Sequence, residues 1–232
     1  MLNSNRIMAL IPARAGSKGI ANKNLAMLAG HPLIYYSITS AKASRYIDRV
    51  VVSSDGDKIL ACASSLGAEA LKRPADISTD TTAMAPVIQH FIDASSLDDE
   101  DRIVLLQPTS PLRRAEHIDA AIAMSRRNDS TVISVVDVGD HHPYKAFRVD
   151  DKGRLRGLID DDAPFSRRQD CPPCYYANGA IYVFRVLDFL RQGRIPLLHA
   201  SPYPMSDQDS LDIDNNEDLE AAEARLKSDA FV

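Results

Sequence analysis

Short apolar runs and amphipathic segments alternate along the first 136 residues of the chain. The apolar runs have the length of strands and little internal alternation, which is typical of strands buried on both faces. The predicted strands are Ile7–Ala13, Arg49–Ser54, Ala68–Lys72, Arg102–Gln107 and Thr131–Val136. The predicted helices are one that begins at Pro32, with Ile34, Ile38 and Ala41 on one face, and Lys58–Leu66, Val87–Ala94 and Ala115–Arg127. This order predicts an α/β fold with a mostly parallel, twisted sheet and helices on both of its faces.

The alternation breaks near residue 137, where Asp, Gly, Arg and Pro become frequent. Lys145–Asp150 and Arg154–Ile159 have strand character and are joined by a glycine-containing turn, which predicts a hairpin. We therefore predict a small inserted arm at residues 138–176, serving as a lid, a dimerisation contact or both. A strand at Ala180–Phe184 and a helix at Asn216–Lys227 then complete an α/β domain made of residues 1–137 and 177–232.

Composition narrows the class of protein. The chain has 232 residues, a net charge of −5 and a pI near 5.7, which argues against a general nucleic-acid binder. It has no apolar run long enough for a membrane span and no apolar N-terminal segment typical of a signal peptide. Its three cysteines argue against a secreted disulfide framework. We expect a soluble cytoplasmic protein without membrane contact, and we interpret the Cys171-Pro-Pro-Cys174 spacing as a chance pairing rather than a redox or zinc site.

The loop after the first predicted strand concentrates positive charge and glycine in an acidic chain. The stretch IPARAGSKGIANKN at 11–24 contains Arg14, Gly16, Ser17, Lys18, Gly19 and Lys23. Open α/β sheets bind ligands beyond the carboxyl ends of their strands, and these residue types suit a polyphosphate. The alternative is a solvated turn. The dinucleotide fingerprint and the P-loop motif are both absent, which argues against a nicotinamide dehydrogenase and a P-loop ATPase.

Two further places carry side chains suited to chemistry. Asp212 and Asp214 alternate on an apparent strand, so both carboxylates would share one face and suit Mg²⁺. Asp214 is also a candidate N-cap for a helix beginning at Asn215, and the two roles are compatible. Gln107 ends the fourth predicted strand, where its amide suits a polyhydroxylated ligand, or alternatively ties down the backbone of the following turn.

Five stretches together resemble a known family over nearly the whole chain: IPARAGSKGIANKN at 11–24, KRPADISTDTT at 72–82, LLQPTSPLR at 105–113, NGAIYVF at 178–184 and LDIDNNEDL at 211–219. They are similar to the nucleotidyltransferases that activate sugars, and within these to the CMP-sialic acid synthetases, or N-acylneuraminate cytidylyltransferases. The first loop differs from that of the enzymes activating the eight-carbon sugar Kdo. The resemblance implies a nucleotide-diphospho-sugar transferase-like, Rossmann-like fold.

The resemblance also implies an activity. In this family the anomeric hydroxyl of a sialic acid-like nonulosonic acid attacks the α-phosphorus of CTP, which gives a CMP-sugar and pyrophosphate. A divalent cation, Mg²⁺ or Mn²⁺, is required. The implied partners are CTP, a 2-keto-3-deoxy sugar acid and a second copy of the chain in a homodimer.

Roles follow for individual residues from the same resemblance. Arg14, Ser17 and Lys23 match positions that contact the triphosphate, and Asn24 and Arg73 match positions that contact the base. Gln107, Asn178 and Tyr182 match sugar positions, and Lys145 and Arg168 match basic positions that meet the sugar carboxylate or the phosphates; Arg167 is an equal candidate to Arg168. Asp212 and Asp214 match metal ligands, so the candidate catalytic set is Arg14, Lys23 and Asp212. The alternatives without a ligand contact are a surface charge for Arg73, a core position for Tyr182 and solvated charges on the arm. Lys18 has no assigned role.

One departure from the family pattern concerns the sugar. Tyr176 stands two residues before Asn178, where enzymes for sialic acid often carry an arginine. A legionaminic, pseudaminic or Kdo-type sugar is therefore an alternative substrate, and a CTP-binding protein without transfer activity is the alternative function. The identity of the general base stays open.

Overall fold

The computed structural model describes residues 5–16 and 19–229. Its strands are β1 Ile7–Pro12, β2 Met27–Leu28, β3 His31–Pro32, β4 Arg49–Ser54, β5 Glu69–Lys72, β6 Arg102–Leu105, β7 Val132–Asp137, β8 Phe147–Val149, β9 Leu155–Gly157, β10 Tyr175–Arg185 and β11 Ser201–Pro204. Its α-helices are α1 Leu33–Ala43, α2 Asp57–Ser65, α3 Met84–Ser95, α4 Ala115–Asn128, α5 Val186–Gln192 and α6 Asn216–Asp229.

A seven-stranded sheet organises the described residues, in the order β11-β7-β10-β6-β1-β4-β5. Neighbours pair in parallel except at β10, which runs antiparallel to both β6 and β7. The predicted mostly parallel α/β fold is therefore confirmed. The carboxyl ends of β6, β1, β4 and β5 lie side by side at one edge of the sheet, because parallel neighbours end on the same side.

The central strand β1 explains why its sequence is continuously apolar. Ile7, Ala9 and Ile11 pack into the core under α1, α2 and α4, whereas Met8 and Leu10 pack into the core under α3 and α5. Successive strand residues point to opposite faces, so a strand covered by helices on both sides needs apolar residues at every position. Among the described residues, no helix has both the length and the apolar character needed to cross a bilayer.

The segment between β7 and β10 contains the predicted hairpin. Strands β8 and β9 pair antiparallel, with Arg148 opposite Arg156, and the turn between them is closed by the Gly153 N–H donating to the Asp150 carbonyl at 2.9 Å. Each strand is three residues shorter than predicted: β8 begins only after the 3₁₀ turn Pro143–Lys145 and Ala146, and the paired residues extend only from Phe147 opposite Gly157 to Val149 opposite Leu155. This hairpin forms its own two-stranded sheet, apart from the central one.

Several boundaries differ from the sequence predictions. Pro32 belongs to the small hairpin β2–β3 and precedes α1, so the helix begins one residue later than predicted. The strand predicted to end at Gln107 ends at Leu105. The elements β2, β3, α5 and β11 were not predicted, since each is too short or too rich in proline to give a periodic signal.

Candidate active site

An open cleft of about 470 Å³ lies at the carboxyl edge of the sheet, beside the ends of β1, β5 and β6. Residues far apart in the sequence meet there. Seven of the predicted site residues line it: Arg14, Lys23, Asn24, Arg73, Gln107, Asp212 and Asp214. The sheet topology thus gathers the first loop, the end of β5, the end of β6 and the segment before α6 around one space.

The first loop leaves β1 and carries Arg14 into the cleft. The Ala13 N–H donates to the Ser53 carbonyl at 2.9 Å, which keeps the chain beside β4 for one residue past the strand. Arg14 then forms an ion pair with Asp80 across the cleft, with Nη1 and Oδ1 2.5 Å apart. Gly16 has φ +74° and open space where a Cβ would stand, so the backbone at this point is accessible to a ligand.

Lys23 and Asn24 lie in a 3₁₀ turn and have partners within the protein. Lys23 Nζ donates to the Ile213 carbonyl at 2.7 Å and lies 3.1 Å from the Asp214 carboxylate. The buried Asn24 amide donates to the Arg14 carbonyl at 2.9 Å. These two side chains therefore hold the first loop and the segment before α6 in place, while both also face the cleft.

Arg73 is a buried cation at the cleft wall, only 5% exposed. Burial lowers the pKa of Arg73, the Asp55 carboxylate 3.9 Å from Nη2 opposes that shift, and the positive charge of Arg14 adds to it. Within the described part of the chain, Nε and Nη2 of Arg73 have no hydrogen-bond partner. A buried guanidinium with free donors facing a cleft favours binding of a ligand that brings acceptor atoms.

Gln107 lies against the backbone of β10. A Cβ added at Gly179, which has φ +76°, would stand 2.6 Å from Gln107 Oε1. The fully buried Arg113 donates to the carbonyls of Gln107 and Ala180 at 3.2 and 2.8 Å, and burial lowers the pKa of Arg113 to about 9. Arg113 thereby ties the end of β6 to β10 and fixes the backbone that presents the Gln107 side chain to the cleft.

Asp212 and Asp214 both line the cleft, but they do not lie on a strand. Residues 211–214 are irregular and are held by the Ile213 N–H, which donates to the Thr109 carbonyl at 2.8 Å. Ile213 is fully buried, whereas the carboxylates on either side of it both face the same cleft, as predicted, although not through strand alternation. The predicted strand is wrong because β6 ends four residues before Thr109 and offers no ladder to pair with.

The predicted cap of α6 is also wrong. The helix begins at Asn216, and Asn215 is the cap: its Oδ1 accepts the Asp218 N–H at 3.0 Å, while Asp218 accepts the Asn215 N–H at 3.0 Å. This reciprocal pair satisfies the first free N–H groups of the helix. Asp214 is therefore released from capping, and its side chain is exposed beside Lys23.

The carboxylate pair has the chemistry of a divalent-cation site. Although Asp212 is exposed at the cleft surface, partial loss of solvent raises its pKa, a hydrogen bond from Thr109 lowers it, and the charge of Asp214 raises it again. Two hard oxygen ligands that repel each other suit Mg²⁺ or Mn²⁺, which phosphate oxygens and water would coordinate further. The described residues contain no group of three or more His, Cys, Asp or Glu placed to hold a metal.

Four predicted residues lie outside the lining of the cleft. Asn178 is buried, where its Oδ1 accepts from Ser134 at 2.6 Å and its amide donates to Ser210 at 2.9 Å. Tyr182 packs against the core under α3; burial raises its pKa, and the nearby charge of Asp212 adds to the shift. On the arm, Lys145 donates to the Pro164 carbonyl at 3.1 Å, and Arg168 pairs with Asp140.

Comparison with known proteins decides the family. A family model described as cytidylyltransferase matches residues 8–231. This chain belongs to the cytidylyltransferase family. A relative named N-acylneuraminate cytidylyltransferase, from Streptococcus agalactiae, is 34% identical over 91% of this chain and 51% of its own length. The chain thus spans about half the length of the first curated relatives it matches.

Two further proteins extend the comparison. A relative named pseudaminic acid cytidylyltransferase, from Campylobacter jejuni, is 30% identical over 95% of this chain and 96% of its own length. Among solved structures, a CMP:2-keto-3-deoxy-manno-octonic acid synthetase complexed with CTP superposes with a TM-score of 0.71 at 16% identity, covering 97% of this chain and all of the other. At that identity the superposition supports the cytidylyltransferase fold alone.

Some candidate positions of this member of the cytidylyltransferase family lie outside the described residues, namely Ser17 and its neighbour Lys18. The triphosphate contact of Ser17 therefore stays a prediction, and Lys18 still has no assigned role. Cys171 and Cys174 are described, and both are free thiols of intermediate exposure. The interpretation of their spacing as chance stays a prediction.

The sequence did not point to several residues that hold the predicted site residues in position. Asp55 accepts the Ala15 N–H at 2.8 Å and lies beside Arg73, so it joins the first loop to the end of β5. Asp80 pairs with Arg14, and Thr109 holds both Asp212 and Ile213. The available signal was position, because Asp55 and Thr109 follow the carboxyl ends of β4 and β6.

Proposed function

We propose that this chain transfers CMP from CTP to a 2-keto-3-deoxy sugar acid and releases pyrophosphate. One observation carries the proposal: a single cleft holds Arg14 and the buried Arg73, whose Nε and Nη2 have no hydrogen-bond partner among the described residues, together with the Asp212–Asp214 carboxylate pair. Cations for a triphosphate and hard oxygen ligands for its metal are the two requirements of nucleotidyl transfer. The names of the Streptococcus agalactiae and Campylobacter jejuni relatives support the same activity.

In the proposed reaction, the anomeric hydroxyl oxygen of the sugar forms a bond to the α-phosphorus of CTP. The bond from the α-phosphorus to the oxygen shared with the β-phosphorus breaks, and the hydroxyl proton is lost. Arg14 and Lys23 neutralise the phosphates, and the Ser17 hydroxyl is a further proposed hydrogen-bond donor to them; the Arg14 guanidinium suits a bidentate contact, and Lys23 acts as a point charge. This catalysis is mainly positioning and charge neutralisation.

The cytosine fits the wall formed by Arg73. Its carbonyl oxygen is the acceptor that the free Nε and Nη2 of Arg73 lack. Asn24 is buried beside Arg14, so its proposed contact with the base accompanies its hydrogen bond to the Arg14 carbonyl. Met84 and Val87 add an apolar surface to the same cleft, against which a ring can pack.

Asp212 and Asp214 are the proposed ligands of Mg²⁺ or Mn²⁺, which when bound would polarise the α-phosphate and stabilise the leaving pyrophosphate. The two carboxylates approach the cleft from the side of Lys23, whose Nζ contacts Asp214. Thr109 orients Asp212 through the hydrogen bond to its carboxylate. Loss of Asp212 should therefore cost more activity than loss of the exposed Asp214.

Gln107 is the proposed sugar contact inside the cleft, and Tyr182 and Asn178 support the adjacent wall. Lys145 and Arg168 are the proposed partners of the sugar carboxylate, brought from the arm. The substrate class is a sialic acid-like nonulosonic acid, with legionaminic, pseudaminic and Kdo-type acids as alternatives because Tyr176 is an exposed aromatic residue rather than a cation.

We also propose a homodimer that forms through the arm. Six large apolar side chains are exposed there, namely Phe147, Val149, Leu155, Leu158, Ile159 and Phe165. An exposed apolar set of this size on a small segment is typical of a protein interface. We propose that a second copy of the chain packs against these side chains. We also propose a cytoplasmic location for the protein.

The test is release of pyrophosphate from CTP in the presence of Mg²⁺ and a panel of sugar acids: N-acetylneuraminic, legionaminic, pseudaminic and Kdo. We expect release with at least one nonulosonic acid and none without sugar or with EDTA. Asp212→Asn should lower kcat by about 100-fold or more, since it removes a charged ligand of the metal ion that would stabilise the transition state. Asp207→Asn, an exposed carboxylate outside the cleft lining, removes the same charge and should retain activity.

Two outcomes would contradict this proposal. Binding of CTP by calorimetry without turnover on any acid of the panel would instead indicate a CTP-binding protein. Release of pyrophosphate from UTP, ATP or GTP at a rate equal to or faster than from CTP would show that CTP is not the specific nucleotide.

A further inference from the structure

The Asp80 carboxylate forms an ion pair with Arg14, whose guanidinium is the proposed contact of the CTP phosphates. Arg14 Nη1 and Asp80 Oδ1 are 2.5 Å apart, and the same Nη1 donates to the Gly16 carbonyl at 2.9 Å. Both side chains are about one-third exposed, so the pair lies at the open side of the cleft. A carboxylate and a phosphate make the same kind of charge-assisted contact with arginine. Only one of them can hold this side of Arg14 at a time.

The loop at residues 77–82 presents Asp80 to the cleft from the wall that faces the first loop. Its turn is closed by the Thr79 N–H, which donates to the Thr82 hydroxyl at 3.0 Å, and by the two hydroxyls, which lie 2.7 Å apart. Ile77, Ser78, Thr79, Asp80 and Thr82 all line the cleft. The carboxylate is thus held within the proposed phosphate site by a structured turn.

The two arginines of the cleft have different counter-ions. Asp55, which is not among the residues lining the cleft, lies 3.9 Å from Arg73 and accepts the Ala15 N–H. Asp80, which lines the cleft, is the carboxylate on Arg14. Burial is the main cause of the lowered pKa of Arg73, and the positive charge of Arg14 adds to it, so a negative group beside Arg14 offsets part of the positive charge in the cleft.

We propose that Asp80 is an internal competitor of the nucleotide: its carboxylate holds Arg14 when the cleft is empty, and the phosphates of CTP displace it. This inference rests on the proposed function, since it needs a phosphate-bearing ligand at Arg14. It assigns Asp80 a role in setting nucleotide and pyrophosphate affinity. A ligand must replace the carboxylate and overcome its repulsion, so the affinity of the wild-type chain is lower than Arg14 alone would give.

The test is calorimetric binding of CTP and of inorganic pyrophosphate, with Mg²⁺ and with EDTA, to the wild type and to Asp80→Asn. Partly exposed ion pairs contribute modestly, so we expect the dissociation constants of both ligands to fall by about threefold to fivefold. Asp76→Asn is the matched control. It removes the same charge from a neighbouring exposed position outside the cleft lining and should leave both constants unchanged.

A double-mutant cycle distinguishes competition at Arg14 from a general change in the loop. In an Arg14→Ala background, Asp80→Asn should improve binding less than it does in the wild type, because the contested guanidinium is gone and only the repulsion between the carboxylate and the phosphates is relieved. Equal or weaker binding by Asp80→Asn would overturn the inference, and weakening only with Mg²⁺ would make Asp80 a metal ligand instead. If neither the wild type nor Asp80→Asn binds CTP or pyrophosphate, the proposed function falls and the inference with it; equal binding by both removes the inference alone.

Discussion

At the residue scale, the backbone conformation of Gly179 determines the space available to Gln107, the proposed sugar contact. Gly179 has φ +76°, a conformation that costs other L-residues roughly 1–2 kcal/mol. The atom that its Cβ would meet, 2.6 Å away, is Gln107 Oε1, the far end of a flexible side chain. A methyl group at this position would therefore move the Gln107 amide rather than the sheet.

We predict that Gly179→Ala raises the KM for the sugar acid severalfold while leaving the KM for CTP nearly unchanged. Gly193→Ala is the control, because Gly193 also has positive φ but has open space around its missing Cβ. Both variants should lose about 1–2 kcal/mol of unfolding free energy, measured with urea. Equal effects of the two variants on the sugar KM would show that Gln107 is not a sugar contact.

The residues that could be predicted from the sequence are those whose position alone carries the signal. Arg14, Arg73 and Gln107 follow strand ends, and parallel strands bring such positions together. Their pairings could not be predicted: Asp55 also follows a strand end, but no fixed sequence spacing links Asp55 to Arg73 or Asp80 to Arg14. The cap of α6 was misplaced by one residue for a similar reason: Asn215 and Asp214 are both good caps, and only the helix start distinguishes them.

At the element scale, the N-terminus of α4 is tied to the turn that precedes the carboxylate segment. Arg114 donates to Asp209 at 2.8 Å, and the Arg114 N–H donates to His117 Nδ1 at 3.3 Å. Ser206 also donates to Asp209, at 2.6 Å. His117 must be neutral at Nδ1 to accept its hydrogen bond, so this junction depends on the protonation of one imidazole.

We predict that stability falls as His117 becomes protonated. Burial lowers the pKa of His117, Asp209 opposes this shift, and Arg114 adds to it. A histidine with a lowered pKa stabilises the fold above its unfolded value of about 6.5, and this contribution is lost as the pH falls through that value toward the lowered pKa. Urea unfolding at pH 7.5 and 5.5 should show a smaller loss of stability for His117→Gln than for the wild type.

The exposed His141 provides the control for this experiment, since His141→Gln should keep the wild-type dependence on pH. An unchanged dependence of stability on pH in His117→Gln would exclude this imidazole as the cause.

The unpredicted elements β11 and α5 also belong to this scale. The sequence SPYP of β11 carries two prolines and pairs with β7 on one side only, so an edge position in the sheet, which no local pattern reveals, makes it a strand.

At the scale of the whole molecule, the arm differs from the central sheet because it leaves large apolar side chains exposed. Its hairpin contains two strands of three residues, and an isolated hairpin of that size is marginally stable. Phe147 and Phe165 contact each other edge to face, with ring centroids 6.4 Å apart, yet Phe165 is 81% exposed. Packing against a second copy, as we propose, would remove such side chains from water and stabilise the arm.

We predict that the wild type sediments as a dimer at micromolar concentration and that Phe165→Glu raises the dimer dissociation constant by about tenfold or more, because a charge would be buried at the interface. Leu198→Glu is the matched control, since Leu198 is 70% exposed but lies outside the arm. Sedimentation velocity over a range of concentrations measures both variants. A monomeric wild type, or equal dissociation by Leu198→Glu, would contradict a dimer formed through the arm.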